Sequence, residues 1–187
     1  MNTIKIDKYT FAEFISADKI AQRISELGEQ ITTDYKDKTP IVIGVLNGSV
    51  IFFSDLIREI KCDVEIDFLR ISSYEKAMES SGVIKVHKDL NSEIEGRHII
   101  IVEDIVDSGL SVRFLKAKLE KSNPASLKVA SLLLKPTEAQ IDFPIDYTGF
   151  EIPPAFVIGY GLDYNQKFRN LKSIYSLVLD ENGKEES

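Results

Sequence analysis

Apolar positions along the chain keep two rhythms, one helical and one extended, and they alternate from end to end. Ile20, Ile24, Leu27 and Ile31 recur at spacings of four, three and four among polar neighbours, which predicts an amphipathic helix over Ser16 to Tyr35. Pro40 opens the apolar run Ile41 to Leu46, the turn Asn47-Gly48-Ser49 follows, and the apolar stretch Val50 to Ile60 predicts a second helix. Val64, Ile66 and Phe68 alternate with Asp63, Glu65 and Asp67, the period of a strand with one polar edge, closed by Arg70. Ser72 to Gly82 has no period and is rich in small polar residues, so it predicts a long mobile loop before another strand at Val83 to Val86.

The run Ile99-Ile100-Ile101-Val102 is β-branched without interruption, the pattern of a strand buried on both faces in a parallel sheet. Glu103 and Asp104 follow it, then Asp107, Ser108, Gly109 and Ser111, and then a helical segment through Val112, Leu115, Ala117 and Leu119. Ser126 to Leu134 predicts a further apolar strand, ended by Lys135-Pro136. Thr137 to Pro154 holds three of the six prolines and no helical period, so it predicts extended and turning chain. Phe156 to Gly159 reads as a short strand, Tyr160 to Tyr164 as a tight return, Ser173 to Leu179 as a closing strand, and Asp180 to Ser187 as a solvated tail. The fold class that follows is α/β, with a central, mostly parallel sheet flanked by helices.

Composition narrows the function classes. At 187 residues the chain is expected to form one domain with a sizeable core, and 43% hydrophobic beside 28% charged residues is ordinary for a soluble globular protein. A formal net charge of −7 argues against nucleic-acid binding and against an anionic membrane surface as partner. Cys62 is the single cysteine, which rules out an internal disulfide and a Cys-based zinc cluster and fits a cytoplasmic location. The start of the chain lacks a charged segment followed by an apolar h-region, and no run approaches the length of a membrane span. His87 and His98 have no second histidine at ligand spacing, and the dinucleotide, phosphate-loop and serine-hydrolase motifs are absent.

The chemistry gathers after the β-branched strand. Three acids within five residues repel one another, and they stand where open α/β sheets bind ligands. Small residues turning a strand into a helix leave backbone N–H groups free at the positive end of the helix, with hydroxyls beside them. Acids suited to a sugar diol or a metal next to an anion cradle match a ribose 5-phosphate. Lys135 ends a buried strand on the same edge.

Val102 to Ser111 resembles the phosphoribosyl pyrophosphate motif of the type I phosphoribosyltransferases: hydrophobic strand, two acids, two apolar residues, an acid, Ser or Thr, Gly, any residue, Ser or Thr. Further patches resemble the purine-salvage branch of that family, the hypoxanthine-guanine phosphoribosyltransferases. They are Val45 to Ser49, Asp67 to Arg70 with Ser73-Tyr74, Leu134-Lys135, and Phe156 to Tyr164 with Arg169.

The resemblance implies the type I phosphoribosyltransferase fold with a small hood, about 137–178, built from the C-terminal region and the N-terminal segment. It implies transfer of ribose 5-phosphate from phosphoribosyl pyrophosphate to N9 of hypoxanthine or guanine, with Mg²⁺ as cofactor and a homo-oligomer, dimer or tetramer, as the assembly. In its terms Glu103, Asp104, Asp107, Ser108, Gly109, Leu110 and Ser111 bind the ribose and its phosphate, and Asp107 handles the proton. Asn47, Gly48, Ser73, Tyr74 and Arg169 serve pyrophosphate, Ser73 and Tyr74 from a closing loop. Asn47 stands where a common family variant has Lys, so a backbone contact is expected there. Lys135, Phe156, Val157 and Asp163 serve the purine, and Glu103, Asp104 and Asp163 serve metal. The alternatives are a xanthine-preferring transferase and a regulator that kept the fold but binds RNA.

Overall fold

In a computed structural model of the chain, residues 2–76 and 79–178 are described, with the backbone alone for 73–83. The elements in order are β1 (Thr3–Ile6), β2 (Tyr9–Ile15), α1 (Ala17–Asp34), β3 (Ile41–Leu46), α2 (Val50–Glu59), β4 (Glu65–Lys76), β5 (Glu79–Lys88), β6 (His98–Val106), α3 (Leu110–Glu120), β7 (Ser126–Leu134), β8 (Tyr147–Glu151), β9 (Val157–Ile158) and β10 (Ile174–Leu177).

The unbroken apolar runs become the middle of a six-stranded sheet ordered β5-β4-β3-β6-β7-β8. Every neighbouring pair is parallel except β4 with β5. Alternate side chains of β6 enter different cores: Ile100 and Val102 pack with Ile20, Ile24 and Leu27 of α1 and Phe52 and Leu56 of α2. Ile99 and Ile101 pack with Val112, Leu115 and Leu119 of α3. Both faces are dry, so the strand shows no polar alternation.

Ser16 caps α1, its Oγ accepting from the Lys19 N–H at 3.4 Å. From the same helix Arg23 donates to the carbonyls of Gly149 (3.0 Å) and Thr148 (2.8 Å), covering the outer edge of β8.

A second, antiparallel sheet ordered β1-β2-β10-β9 joins the N-terminal hairpin to the C-terminal strands and forms the hood. It carries its own small core around Ile6, Phe11 and Ile158. The hairpin before Ser16 leaves no clear period in the sequence, since its arms are four and seven residues long and turn at Asp7, with φ of 54°.

Three expectations need correction. The long loop over 72–82 is mostly strand: β4 and β5 stay paired out to Lys76 opposite Glu79, leaving only 77–78 outside the described residues. Ladder hydrogen bonds need no apolar face, so a stretch of small polar residues still pairs. The hood is narrower than 137–178, because β8 joins β7 in the main sheet, with Ala130 opposite Tyr147. The central strand does not stop before its acids; β6 continues through Glu103 and Asp104 to Val106. The tail 180–187 lies outside the described residues. Among the described residues no helix is long and apolar enough to cross a membrane.

Candidate active site

β6 and β7 run in register with Val106 opposite Leu134, so residues 107 and 135 leave the sheet side by side. The Lys135 N–H donates to the Val106 carbonyl at 3.0 Å. At the other end of that residue, Nζ donates to Asp107 Oδ2, also at 3.0 Å.

After Asp107 the chain turns into α3 through Gly109, whose φ of 79° suits glycine. Gly109 has no side chain with which to cap the helix, and among the described residues Ser108 Oγ reaches only the Leu110 N–H, at 3.5 Å. The N–H groups of the first turn are thus left over. Beside them is a cavity of about 260 Å³, lined from Glu103 through Val112.

One wall of this cradle was missed by sequence reasoning. Gln140 donates from its N–H to the Ser108 carbonyl at 3.1 Å, and Arg113 holds the Gln140 carbonyl at 3.0 Å. Ile141 fills the space where a Cβ on Gly109 would stand. These residues come from irregular chain, where no periodicity signals a role.

At the cavity floor Glu103 is buried and its Oε1 has no hydrogen-bond partner among the described residues. Burial, and then the neighbouring Asp104 carboxylate, push the Glu103 carboxyl well above its ordinary pKa. Burial raises Asp104 to about 6, against the pull of its own and Ile105's N–H groups and of Arg169; Asp163 adds to the rise. An orphaned buried carboxylate beside a second one fits a hard divalent cation, which takes oxygen ligands and keeps waters of its own.

The Asn47-Gly48 turn lies against Asp104, for a Cβ on Gly48 would overlap that carboxylate. Gly161, with φ of 100°, in turn packs its Cα against the Gly48 carbonyl. The Leu46–Asn47 peptide bond is cis. Arg169 donates to the Gly161 carbonyl at 2.7 Å and pairs with Asp163 at 2.6 Å. The other Asp163 oxygen accepts from the Gln166 N–H at 2.8 Å.

Asn47, Gly48, Asp104, Gly161, Asp163 and Arg169 therefore converge. Even so, no group of three or more His, Cys, Asp or Glu side chains suited to a metal is found among the described residues. Asp163 is committed to Arg169 and Gln166.

Phe156 and Val157 sit in the hood. Val157 is buried and pairs with Ser176, whereas Phe156 is 48% exposed. Its ring lines a separate cavity of about 220 Å³ with Tyr9, Phe11, Tyr164 and Leu177. That cavity shares no lining residue with the cradle. Ser73 and Tyr74 lie in β4, their side chains outside what is described.

Residues 13–165 match the model of the phosphoribosyl transferase domain. The chain belongs to the phosphoribosyltransferase family. Among similar phosphoribosyltransferases, the hypoxanthine-guanine phosphoribosyltransferase of Bacillus subtilis (strain 168) is 44% identical over 160 residues, covering 86% of this chain and 89% of that protein. The hypoxanthine phosphoribosyltransferase of Haemophilus influenzae is 42% identical over 170 residues, 89% of this chain and 95% of that one. A crystal structure of a hypoxanthine-guanine phosphoribosyltransferase from Bacillus anthracis, with HEPES in its active site, superposes with a TM-score of 0.85 at 43% identity. It covers 89% of this chain and 98% of its own. The phosphoribosyltransferase fold expected from the central motif is the fold observed.

Proposed function

We propose that this phosphoribosyltransferase moves the 5-phosphoribosyl group from phosphoribosyl pyrophosphate to N9 of hypoxanthine or guanine, giving IMP or GMP and releasing pyrophosphate. The observation that carries the reading is the placement of a Lys–Asp pair at the mouth of an acid-floored anion cradle. The names of the similar proteins support the same base class.

N9 attacks C1′ as the C1′–O bond to pyrophosphate breaks, so positive charge builds on the sugar and negative charge on the leaving group. The first-turn N–H groups of α3 and the Ser108 and Ser111 hydroxyls take the 5′-phosphate, with Gly109 allowing its close approach and Leu110 contributing backbone. Glu103 and Asp104 accept from the ribose hydroxyls. The same two carboxylates would hold Mg²⁺, which when bound offsets the charge gathering on pyrophosphate; Asp163 is a further oxygen donor for metal once released from Arg169.

Asn47 and Gly48 offer backbone N–H groups to pyrophosphate, and Arg169 offers charge. Ser73 and Tyr74 are assigned to closure over the same end. Lys135 donates to the oxygen at C6 of the base, and Asp107 accepts the N–H proton at N7, leaving the N9 lone pair free for attack. Lys135 has no acceptor to give an amino group at C6, which excludes adenine. Phe156 stacks on the base and the Val157 backbone bonds to it. The assembly assigned is a homo-oligomer.

Nucleotide formation from hypoxanthine, guanine and xanthine, each with phosphoribosyl pyrophosphate and Mg²⁺, tests the assignment. Product from the first two and little from xanthine is the result expected. Turnover confined to xanthine, or none, overturns it.

A further inference from the structure

The Asn47-Gly48 turn is fixed by what surrounds it. Asp104 lies on one side, Gly161 packs against the Gly48 carbonyl on another, and α2 begins two residues after Gly48. Tyr160 ties the second of these to the third. Its hydroxyl donates to Asp55 Oδ2 on α2, and its N–H donates to the Leu171 carbonyl at 2.9 Å.

Next to it, the Gly161 N–H donates to the Arg169 carbonyl at 2.9 Å while the Arg169 guanidinium holds the Gly161 carbonyl at 2.7 Å. Side chain, backbone and guanidinium thus form one connected path from α2 to Arg169.

Two features mark this tie as more than incidental packing. Tyr160 adopts φ of 50°, a region that bulky L residues rarely occupy and that persists only where the surroundings over-determine it. The residue is also nearly buried, so burial, followed by the Asp55 bond, raises its hydroxyl pKa and keeps it a donor. Among the described residues Asp55 has one other side-chain partner, Arg58, whose side chain is 71% exposed and which anchors little on its own.

We propose that Tyr160 and Asp55 are positioning residues for the pyrophosphate end of the site, setting the distance between Arg169 and the Asn47-Gly48 turn at the head of α2. The proposal rests on reading Asn47, Gly48 and Arg169 as the pyrophosphate contacts. Both act on the site through the backbone of Gly161 and through α2. A misplacement of 1 Å that originates far from the chemistry can cost about 10²-fold in rate.

The test is calorimetric titration of the full chain with pyrophosphate and Mg²⁺, and separately with hypoxanthine, alongside thermal melts. Tyr160→Phe removes only the hydroxyl, Asp55→Ala removes the acceptor, and Asp55→Asn keeps a carbonyl oxygen for it. Tyr160→Phe and Asp55→Ala are each expected to weaken pyrophosphate binding about tenfold, the range of one hydrogen bond to a charged group. The double variant should be no weaker than either, Asp55→Asn should lie within about twofold of wild type, and hypoxanthine affinity should hold.

Unchanged pyrophosphate affinity in Tyr160→Phe overturns the proposal, and so does equal weakening toward both ligands, which is general loosening. A chain whose variants lose pyrophosphate as expected but which makes no nucleotide refutes the proposed activity and leaves this inference standing. A wild type that makes nucleotide while Tyr160→Phe binds pyrophosphate normally refutes this inference alone.

Discussion

Lys135 reaches Asp107 at 3.0 Å across the ends of two adjacent strands, and the two partners differ sharply in exposure: 11% for the lysine side chain, 56% for the aspartate. Removing the lysine leaves a carboxylate that water can solvate, whereas removing the aspartate charge leaves a nearly buried ammonium without its anion.

Asp107→Asn is therefore expected to lower the melting temperature more than Lys135→Met does. The two should also separate kinetically. Loss of the proton acceptor should cut kcat by about 10²-fold while phosphoribosyl pyrophosphate binding holds. Lys135→Met should chiefly raise KM for the base and blur the choice between 6-oxo and 6-amino purines. Steady-state kinetics with hypoxanthine and adenine, together with thermal melts, separate these outcomes. An Asp107→Asn enzyme turning over at the wild-type rate removes Asp107 from the reaction.

Gly48 touches the Asp104 carboxylate so closely that a Cβ has no room, and the obstacle is a charged group on the central strand. Gly48→Ala must displace either the turn or that carboxylate. The expected cost is about 1–3 kcal/mol of stability, the usual range for overpacking, with a larger loss in pyrophosphate affinity than in base affinity. Chemical denaturation and product-inhibition kinetics read the two effects separately. Intact pyrophosphate inhibition would place the turn outside the site.

The sequence made the sheet and its cradle legible wherever a residue's neighbours in space were also its neighbours in the chain. Ile41 to Leu46 and Ser126 to Leu134 appear as strands with those ends, and the Glu103 to Val112 side of the anion cradle is one contiguous motif. Contacts made over long sequence separations left no such trace. Tyr160 meets Asp55 across 105 residues, and Ile141 fills the space beside Gly109 from a segment without period. The N-terminal hairpin finds its partner only in β10, at the far end of the chain. For the same reason the β4–β5 arm looks like a loop in the sequence: backbone pairing carries it past the point where the apolar pattern stops.

Asp67 predicts an acid-sensitive brace beside the sheet. It is nearly buried, and it accepts from the N–H groups of Phe68, Asn91 and Ser92 and from the Lys88 ammonium. Burial alone would raise its carboxyl, but the Ser92, Phe68 and Asn91 N–H groups and then Lys88 outweigh it, and the net shift is far downward from 3.8. A depressed folded-state pKa adds stability that is present above the unfolded value and lost as pH falls through the folded one. Asp67→Asn should therefore cost about 2–3 kcal/mol near neutral pH, and the gap to wild type should close progressively below about pH 4. Melts from pH 7 to pH 3 check this. A gap that stays constant over that range contradicts it.

Glu103 offers the opposite case, a carboxyl whose burial works against the ligand-free protein. Its Oε1 has no partner among the described residues, and burial and then Asp104 push its pKa up, so its charged form is disfavoured there. Glutamine has nearly the same shape and no charge. Glu103→Gln should hold or raise the melting temperature in chelator, because the repulsion with Asp104 is gone and the buried group is neutral. The same change removes one of two carboxylates available to a divalent ion, so the Mg²⁺ concentration needed for half-maximal activity should rise by about tenfold or more, and the stabilisation that added Mg²⁺ gives should shrink. Melts with and without Mg²⁺, beside a metal titration of the rate, measure both effects on one preparation. A variant less stable in chelator, with an unchanged metal requirement, would make Glu103 a structural acid and move the cation elsewhere.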